Sequence, residues 1–152
     1  MHTEYLNQFI DALKNCEFYK GSEQLNGYSE GIQAMLDAFT EVKKSGRTAY
    51  FVGNGGSAAI ASHMSDFKKN GNMKTGALLD ASVVTCFGND FGYEYMYSKQ
   101  LEQIGSEGDL LIAISSSGNS MNIVNAIAEA RNKKMNVITL SGFKPDKRHG
   151  RY

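Results

Sequence analysis

The chain has 152 residues, of which 41% are hydrophobic, so it is long enough to bury the core of one ordinary domain. Its 16 Lys and Arg balance 16 Asp and Glu to a formal net charge of +0, which gives no electrostatic reason to expect nucleic acid or an anionic membrane as a partner. No apolar run approaches membrane-spanning length, and the N-terminus lacks a signal-peptide pattern. Two separated cysteines, Cys16 and Cys86, are typical of free thiols in the reducing cytoplasm.

The first third of the chain predicts two amphipathic helices, over residues 3–15 and 26–44. The first helix would place Tyr5, Phe9 and Leu13 on one side. Two such helices before the first strand either pack on a sheet or pair with another subunit in a helical bundle.

From residue 48 onward, predicted strands alternate with predicted helices. The strands are expected at 48–52, 75–79, 83–87, 109–114 and 135–140, and the helices at 58–69, 93–104 and 121–131. This alternation predicts a parallel sheet covered on both faces, with ligands bound beyond the carboxyl ends of the strands.

A serine-rich turn lies between the strand at 109–114 and the helix at 121–131. Its hydroxyls belong to Ser115, Ser116, Ser117 and Ser120. Hydroxyls, backbone N–H groups and the positive end of the helix predict a phosphate cradle. The alternative is a helix start capped by serine, but one serine is enough for a cap.

A second glycine-rich and serine-rich turn follows the strand at 48–52 and consists of Gly53, Asn54, Gly55, Gly56 and Ser57. Its glycines permit a close approach of backbone to ligand, and Ser57 could cap the next helix or donate to an anion. The turn formally fits the dinucleotide fingerprint, which also needs an acidic residue about twenty positions further on. No good candidate stands there, so a small phosphorylated ligand is favoured.

His63 and Asp66 are three residues apart in the predicted helix at 58–69 and would share one of its faces. Such a pair could bind a metal ion or shuttle protons. The alternative is a surface ion pair without a functional role.

Further candidates lie in and around the predicted polar loop at 88–92. Asp90 and Glu94 could each bind sugar hydroxyls or act as a base, although Asp90 could instead cap the following helix. Cys86, in the strand predicted at 83–87, is expected to be a buried structural residue rather than a nucleophile.

Three stretches carry a family resemblance: TAYFVGNGGSAA at 48–59, FGNDFGYEY at 87–95 and GDLLIAISSSGNSMNIVNAI at 108–127. In this order they resemble the sugar isomerase (SIS) domain family over residues 1–143, and most of all its bacterial phosphoheptose isomerases. The resemblance implies an α/β three-layer, flavodoxin-like sandwich with a mainly parallel sheet, preceded by two N-terminal helices. The implied division is 1–46 for oligomerisation and 47–143 for phosphosugar binding. The remaining stretch, 144–152, is charged and lacks apolar periodicity, so it is expected to be an exposed tail.

The resemblance also implies roles for individual residues. The turn formed by Asn54, Gly55, Gly56 and Ser57 would touch the substrate, as would the pair Asn89 and Asp90. The phosphate would be held by Ser115, Ser116, Ser117 and Ser120. Family members are commonly homotetramers with sites near subunit boundaries, which implies a cytoplasmic homo-oligomer built through the N-terminal helices.

The sequence departs from the phosphoheptose isomerase pattern at the catalytic positions. In that pattern a His serves zinc, and a Glu four residues later serves zinc and proton transfer. His63 is present and is the implied zinc ligand, but Phe67 stands at the Glu position, with Asp66 one residue before it. We expect His63 and Asp66 to be the catalytic candidates. No residue after Gly142 matches the family's C-terminal strand and helix, which bear a Gln and a His, so the sequence resembles a truncated member.

Three hypotheses follow. The first is a phosphosugar-binding SIS enzyme, an aldose–ketose isomerase acting on sedoheptulose 7-phosphate in carbohydrate metabolism, with catalysis impaired by the altered positions. The alternative is a non-catalytic SIS module that binds carbohydrate derivatives or assembles protein partners. The third is a fragment that exposes the edge of its sheet.

Overall fold

The computed structural model describes residues 2–67 and 71–142. The helices are α1 (His2–Lys14), α2 (Gly27–Lys44), α3 (Gly56–Met64), α4 (Ala81–Phe91), α5 (Met96–Ile104) and α6 (Met121–Asn132), with short 3-10 helices at Ser65–Phe67 and Tyr93–Tyr95. The strands are β1 (Tyr19–Lys20), β2 (Glu23–Gln24), β3 (Thr48–Gly53), β4 (Lys74–Ala77), β5 (Leu110–Ile114) and β6 (Asn136–Leu140). None of the helices in the described ranges combines the length and the hydrophobicity that a membrane span requires.

Contacts divide the chain into two compact units, Met1–Asp37 and Ala38–Tyr152. The first unit contains α1 and an antiparallel hairpin in which Tyr19 of β1 pairs with Gln24 of β2. The apolar side chains of α1 are largely exposed, Tyr5 and Phe9 among them. The predicted division at residue 46 stays a prediction, and the predicted tail at 144–152 lies outside the described residues.

The second unit is built on a four-stranded sheet in the order β4-β3-β5-β6, in which every pairing is parallel. All five residues of the central strand β5 are buried. On one face, Leu111 and Ala113 pack in a core with residues of α5 and α6, and on the other, Leu110 and Ile112 pack with Ala61 of α3. The predicted α/β fold with helices on both faces of a parallel sheet is therefore confirmed.

A buried carboxylate ties the strands together at their amino ends. Asp109 accepts hydrogen bonds from the N–H of Thr48 at 2.9 Å and from the N–H of Ser106 at 2.9 Å, and its own carbonyl accepts from Asn136 at 2.8 Å. These bonds fix where β3, β5 and β6 begin relative to one another, and therefore fix the sheet register.

The predicted strand at 83–87 and loop at 88–92 are wrong, because residues 83–91 lie in helix α4 and Gly92 ends it. The sequence suggests a strand because three consecutive residues, Val83, Val84 and Thr85, are β-branched, and β-branched residues favour strands. The decisive local feature is Asp80, whose carboxylate caps the helix by accepting from two backbone N–H groups of its first turn. Tertiary packing of Val84 and Phe87 against the core then favours the helix over the strand.

Candidate functional site

The two glycine-rich and serine-rich turns meet at one edge of the sheet. Gly53 and Ile114 are paired at the carboxyl ends of the adjacent strands β3 and β5. Gly53 begins the first turn, and the second turn begins at Ser115, directly after Ile114. Gly53 packs so closely on α3 that a Cβ there would lie 2.6 Å from the carbonyl oxygen of Ser57. Gly55 has a φ of 54°, a conformation that favours glycine. The sequence therefore brings both predicted turns to one place.

The serine-rich turn is shaped by its own hydroxyls. The buried Ser115 Oγ accepts from the N–H of Gly118 at 3.2 Å and lies 3.5 Å from Ser120 Oγ. Ser117 Oγ accepts from the N–H of Asn119 at 3.2 Å. Ser116 is exposed, and its carbonyl accepts from the N–H of Gly142 at 3.1 Å. These hydrogen bonds fix the conformation of the turn. The side chains of Ser116, Ser117 and Ser120 remain at least partly accessible to solvent.

Three helices that follow strands of the sheet begin in different ways. Helix α4 is capped by the Asp80 carboxylate, which accepts from Ser82 and Val83. Helix α3 begins after Gly55, which has no side chain to cap it, and α6 begins after Ser120, which makes no side-chain capping bond. The expectation that Ser57 caps α3 is wrong, because Ser57 lies inside that helix. The N-terminal backbone dipoles of α3 and α6 are therefore left for a ligand, whereas that of α4 is occupied by a side chain.

An amide pair links the turn after β3 to the start of α6. Asn54 Nδ2 donates to Asn122 Oδ1 at 2.9 Å, and Asn122 Nδ2 donates to Asn54 Oδ1 at 2.8 Å. The hydroxyl of Tyr93 also donates to Asn54 Oδ1, at 3.1 Å. These bonds place the starts of α3 and α6 side by side.

A cleft of about 550 Å³ opens beside this amide pair. Its lining is Asn54, Tyr93, Glu94, Tyr95, Ser120, Met121, Asn122 and Asn125. The lining contains hydroxyl groups, amide groups, aromatic rings and one carboxylate, a set that suits a polyhydroxylated ligand better than an apolar one. The Asn125 amide also donates to the backbone carbonyl of Glu94 at 2.9 Å. This bond holds the backbone of Glu94 against α6 at the side of the cleft.

The buried side chain of Tyr97 holds the backbone at the same edge of the sheet. Its side chain is 1% exposed, and its hydroxyl donates to the carbonyl of Gly53 at 2.6 Å. Burial, with a smaller electrostatic contribution from Tyr93, raises the pKa of Tyr97 to about 12. Tyr97 therefore stays neutral and holds the end of β3 in place at any physiological pH.

Asn89 and Asp90 lie in the last turn of α4 instead of in a loop after a strand. Asn89 Nδ2 donates to Asp90 Oδ1 at 2.9 Å, and the exposed thiol of Cys86 donates to Asp90 Oδ2 at 3.5 Å. The Asp90 carboxylate, as hydrogen-bond partner and as nearby charge, raises the pKa of Cys86. The expectation of a buried Cys86 is therefore wrong, and all three side chains lie outside the described lining of the cleft.

His63 and Asp66 do not share the face of one α-helix, as their spacing predicts. Helix α3 ends at Met64, and Asp66 lies in the following 3-10 turn with φ −81° and ψ 24°. His63 is exposed and seven residues from the start of α3, about 10 Å along its axis. Among the described residues no three His, Cys, Asp or Glu side chains are grouped as a metal site requires, so the described part of the chain does not by itself fit the zinc implied for His63.

The sequence prediction missed five residues of the cleft lining, namely Tyr93, Tyr95, Met121, Asn122 and Asn125, and two of these, Asn122 and Tyr93, bond to Asn54. Asn122 follows the serine-rich turn and lies four residues before Ala126 and eight before Ala130, on the buried stripe of α6. A polar residue on such a stripe needs a hydrogen-bonding partner, and that signal could have identified Asn122. No comparable signal exists for Tyr93, because its partner is far away in the sequence.

Comparison with known proteins shows which family this chain resembles. The sequence pattern of the SIS domain matches residues 20–142. The phosphoheptose isomerase of Yersinia enterocolitica is 39% identical over 143 residues, which cover 90% of this chain and 71% of that protein. The chain belongs to the SIS domain family. The phosphoheptose isomerase of Salmonella dublin is 38% identical over 148 residues, covering 93% of this SIS domain chain and 73% of the relative.

Solved structures of two phosphoheptose isomerases are also similar to this SIS domain chain. A phosphoheptose isomerase from Neisseria gonorrhoeae aligns with a TM-score of 0.66 and 35% identity, covering 72% of this chain and 60% of that one. One from Francisella tularensis aligns with a TM-score of 0.67 and 26% identity, covering 93% of this chain and 74% of that one. The chain thus spans between 60% and 74% of the length of these four relatives.

Proposed function

We propose that this chain binds a phosphorylated sugar at the carboxyl ends of β3 and β5 and interconverts its ketose and aldose forms. The proposed substrate is sedoheptulose 7-phosphate, used in cytoplasmic synthesis of a heptose precursor. The proposal is supported by the phosphoheptose isomerases that resemble the chain over nine-tenths of its length.

The observation that carries the proposal is the pairing of two uncapped helix N-termini beside a serine-rich turn. Helices α3 and α6 start next to each other through the bonds between Asn54 and Asn122. Backbone N–H groups at two helix starts, with the hydroxyl of Ser120 between the turn and α6, favour a dianionic phosphate group.

The residues that line the cleft support one orientation of the proposed ligand. Its described lining includes Ser120 near the start of α6 and the carboxylate of Glu94. A carboxylate repels phosphate but accepts hydrogen bonds from sugar hydroxyls. We therefore propose that the phosphate binds at the serine-rich turn and that the hydroxylated chain of the sugar extends towards Glu94 and Asn125.

Isomerisation requires a base that removes a proton from the carbon beside the carbonyl and returns one to the neighbouring carbon through an enediol. Two sets of groups could perform this transfer. His63 and Asp66 remain the candidates implied by the resemblance, and Glu94 is the carboxylate in the described lining of the cleft. Zinc at His63 would polarise the carbonyl, but it needs further ligands beyond His63.

The test measures binding and turnover separately. Isothermal titration of wild-type protein with sedoheptulose 7-phosphate should show binding that is weakened about tenfold or more in Ser117→Ala and in Ser120→Ala, since each removes a hydroxyl from the proposed phosphate site. Ser22→Ala, in the hairpin of the first unit, is the matched control and should bind as the wild type does. Equal affinities for all four proteins would contradict the phosphate site.

A coupled assay for the aldose product then tests catalysis. Loss of turnover with retained binding in Glu94→Gln would identify Glu94 as the base, and the same pattern in His63→Ala would favour the pair implied by the resemblance. Binding without product in the folded wild-type protein would contradict the isomerase proposal.

The second candidate is a non-catalytic binding module. It is favoured by one observation, that His63 and Asp66 lie outside the described lining of the cleft. Under this proposal phosphosugar binding is unnecessary for partner binding, so a protein partner captured by the wild type would also be captured by Ser117→Ala.

We also propose that the chain forms a homotetramer through its N-terminal helices. The exposed apolar side chains of α1, among them Tyr5, Phe9 and Leu13, support this proposal, since a helix rarely leaves such a face uncovered. Light scattering should give the mass of four chains, and Phe9→Glu should reduce it, whereas an unchanged mass would contradict a role for α1.

A further inference from the structure

The amide of Asn54 is held by two other side chains of the second unit. Asn122 exchanges two hydrogen bonds with it, at 2.8 and 2.9 Å. Asn122 belongs to the cleft lining but is only 1% exposed, and both ends of its amide are bonded to Asn54, so we expect it to act on a ligand mainly through Asn54. The third bond comes from the hydroxyl of Tyr93, which donates to Asn54 Oδ1 at 3.1 Å.

These bonds determine what Asn54 can offer to a ligand. A carbonyl oxygen has two lone pairs, and Asn54 Oδ1 accepts from both Asn122 and Tyr93. The amide nitrogen of Asn54 carries two hydrogens and uses one of them to donate to Asn122 Oδ1. One N–H of Asn54 therefore remains for the ligand, and its oxygen is filled.

We propose that Asn122 and Tyr93 are positioning residues that hold Asn54 as a hydrogen-bond donor to an oxygen atom of the bound phosphosugar. The identity of that ligand rests on the proposed function, whereas the arrangement of the three side chains does not. A fixed N–H suits an oxygen on which negative charge develops, as on the carbonyl oxygen when an enediol forms.

A double-mutant cycle tests whether Asn122 acts through Asn54. Affinity for sedoheptulose 7-phosphate is measured by titration calorimetry in the wild type, Asn54→Ala, Asn122→Ala and the double variant. We expect Asn122→Ala to weaken binding about tenfold in the wild-type background and less than about twofold in the Asn54→Ala background. A general structural effect of Asn122 would weaken binding equally in both backgrounds, and that result would overturn the proposal.

Matched variants control for the chemical changes. Asn132→Ala makes the same substitution near the far end of α6, and Tyr28→Phe removes a hydroxyl in the first unit. Both should bind as the wild type does, while Tyr93→Phe should weaken binding a few-fold. An affinity in Tyr93→Phe equal to that in Tyr28→Phe would overturn the role of Tyr93.

A measurement without ligand separates this proposal from the proposed function. In a ¹⁵N–¹H spectrum of the free protein, the side-chain amide signals of Asn54 are assigned by their loss in Asn54→Ala. We expect Tyr93→Phe and Asn122→Ala to shift those signals and Asn132→Ala to leave them in place. Unshifted signals would overturn the proposal even if the protein binds phosphosugar. Shifted signals in a protein that binds no phosphosugar would support the positioning and contradict the proposed function.

The spectrum also keeps the test decisive if Asn122→Ala does not fold. Tyr93 is 60% exposed, so Tyr93→Phe should preserve the fold. Its effect on the Asn54 signals then supports or overturns the proposal without the other variant.

Discussion

Substituting Tyr97 by Phe tests how the end of β3 is held. The variant keeps the buried ring and removes the hydroxyl that donates to the Gly53 carbonyl at 2.6 Å. Losing a buried hydrogen bond, with the acceptor left behind, should lower the free energy of unfolding by about 1–2 kcal/mol at pH 8. Urea unfolding followed by circular dichroism measures this, with the exposed Tyr28→Phe as a control that should cost nothing measurable.

The same comparison has a defined dependence on pH. Because burial raises the pKa of Tyr97 to about 12, its phenol stays protonated in the folded chain while an unfolded tyrosine ionises near pH 10. The stability that Tyr97 contributes is therefore fully present below about pH 10 and lost as the pH rises through about 12. At pH 11 the difference between wild type and Tyr97→Phe should shrink by about 1 kcal/mol, after allowing for partial screening by solvent. A difference that is the same at pH 8 and pH 11, or absent at pH 8, would refute this reasoning.

Substitutions at four further positions test other parts of the second unit by thermal unfolding. Gly53→Ala should destabilise the fold by about 2 kcal/mol, because its Cβ would lie 2.6 Å from the carbonyl oxygen of Ser57. Gly56→Ala has open space around its Cβ and should stabilise α3 by about 0.5 kcal/mol, so equal melting temperatures for these two variants would contradict the packing argument. Asp80→Ala should lower the melting temperature by removing the cap of α4, while Asp80→Asn keeps most of it, and identical losses would argue against the cap. Asp109→Asn should cost about 1–3 kcal/mol, because one of its two acceptor oxygens becomes a donor facing a backbone N–H, and wild-type stability would contradict its role in the register.

The sequence was a good guide where local pattern and tertiary structure agree. The apolar run at 109–114 predicted β5, which the structure places over Leu110–Ile114 in the middle of the sheet. The two turns after β3 and β5 were predicted to share one site, because carboxyl ends of parallel strands meet at one edge. Gly53, which begins the first turn, is indeed the register partner of Ile114, which directly precedes the second.

The sequence was a poor guide where a helix cap or contacts between distant residues override the strand or helix preference of a short stretch. A run of β-branched residues at 83–85 suggested a strand, but the cap at Asp80 and packing of Phe87 on the core produce helix α4. Likewise, the bond between Tyr93 and Asn54 spans 39 residues, a separation that no local pattern encodes. The spacing of His63 and Asp66 was misleading because it assumes a helix that continues through both.

The carboxylate of Asp109 has a consequence for how this protein could change over evolutionary time. Its hydrogen bonds to Thr48 and Ser106 hold β3 and β5 together at the end of the sheet opposite the cleft. None of these residues belongs to the described lining of the cleft. Strand alignment and ligand recognition are thereby assigned to opposite ends of the same two strands. Side chains such as Glu94 and Asn125 can then be exchanged for others without shifting the strands that support them. A laboratory library that varies the cleft lining while keeping Asp109 should therefore yield mostly folded proteins, with differences among them in ligand preference.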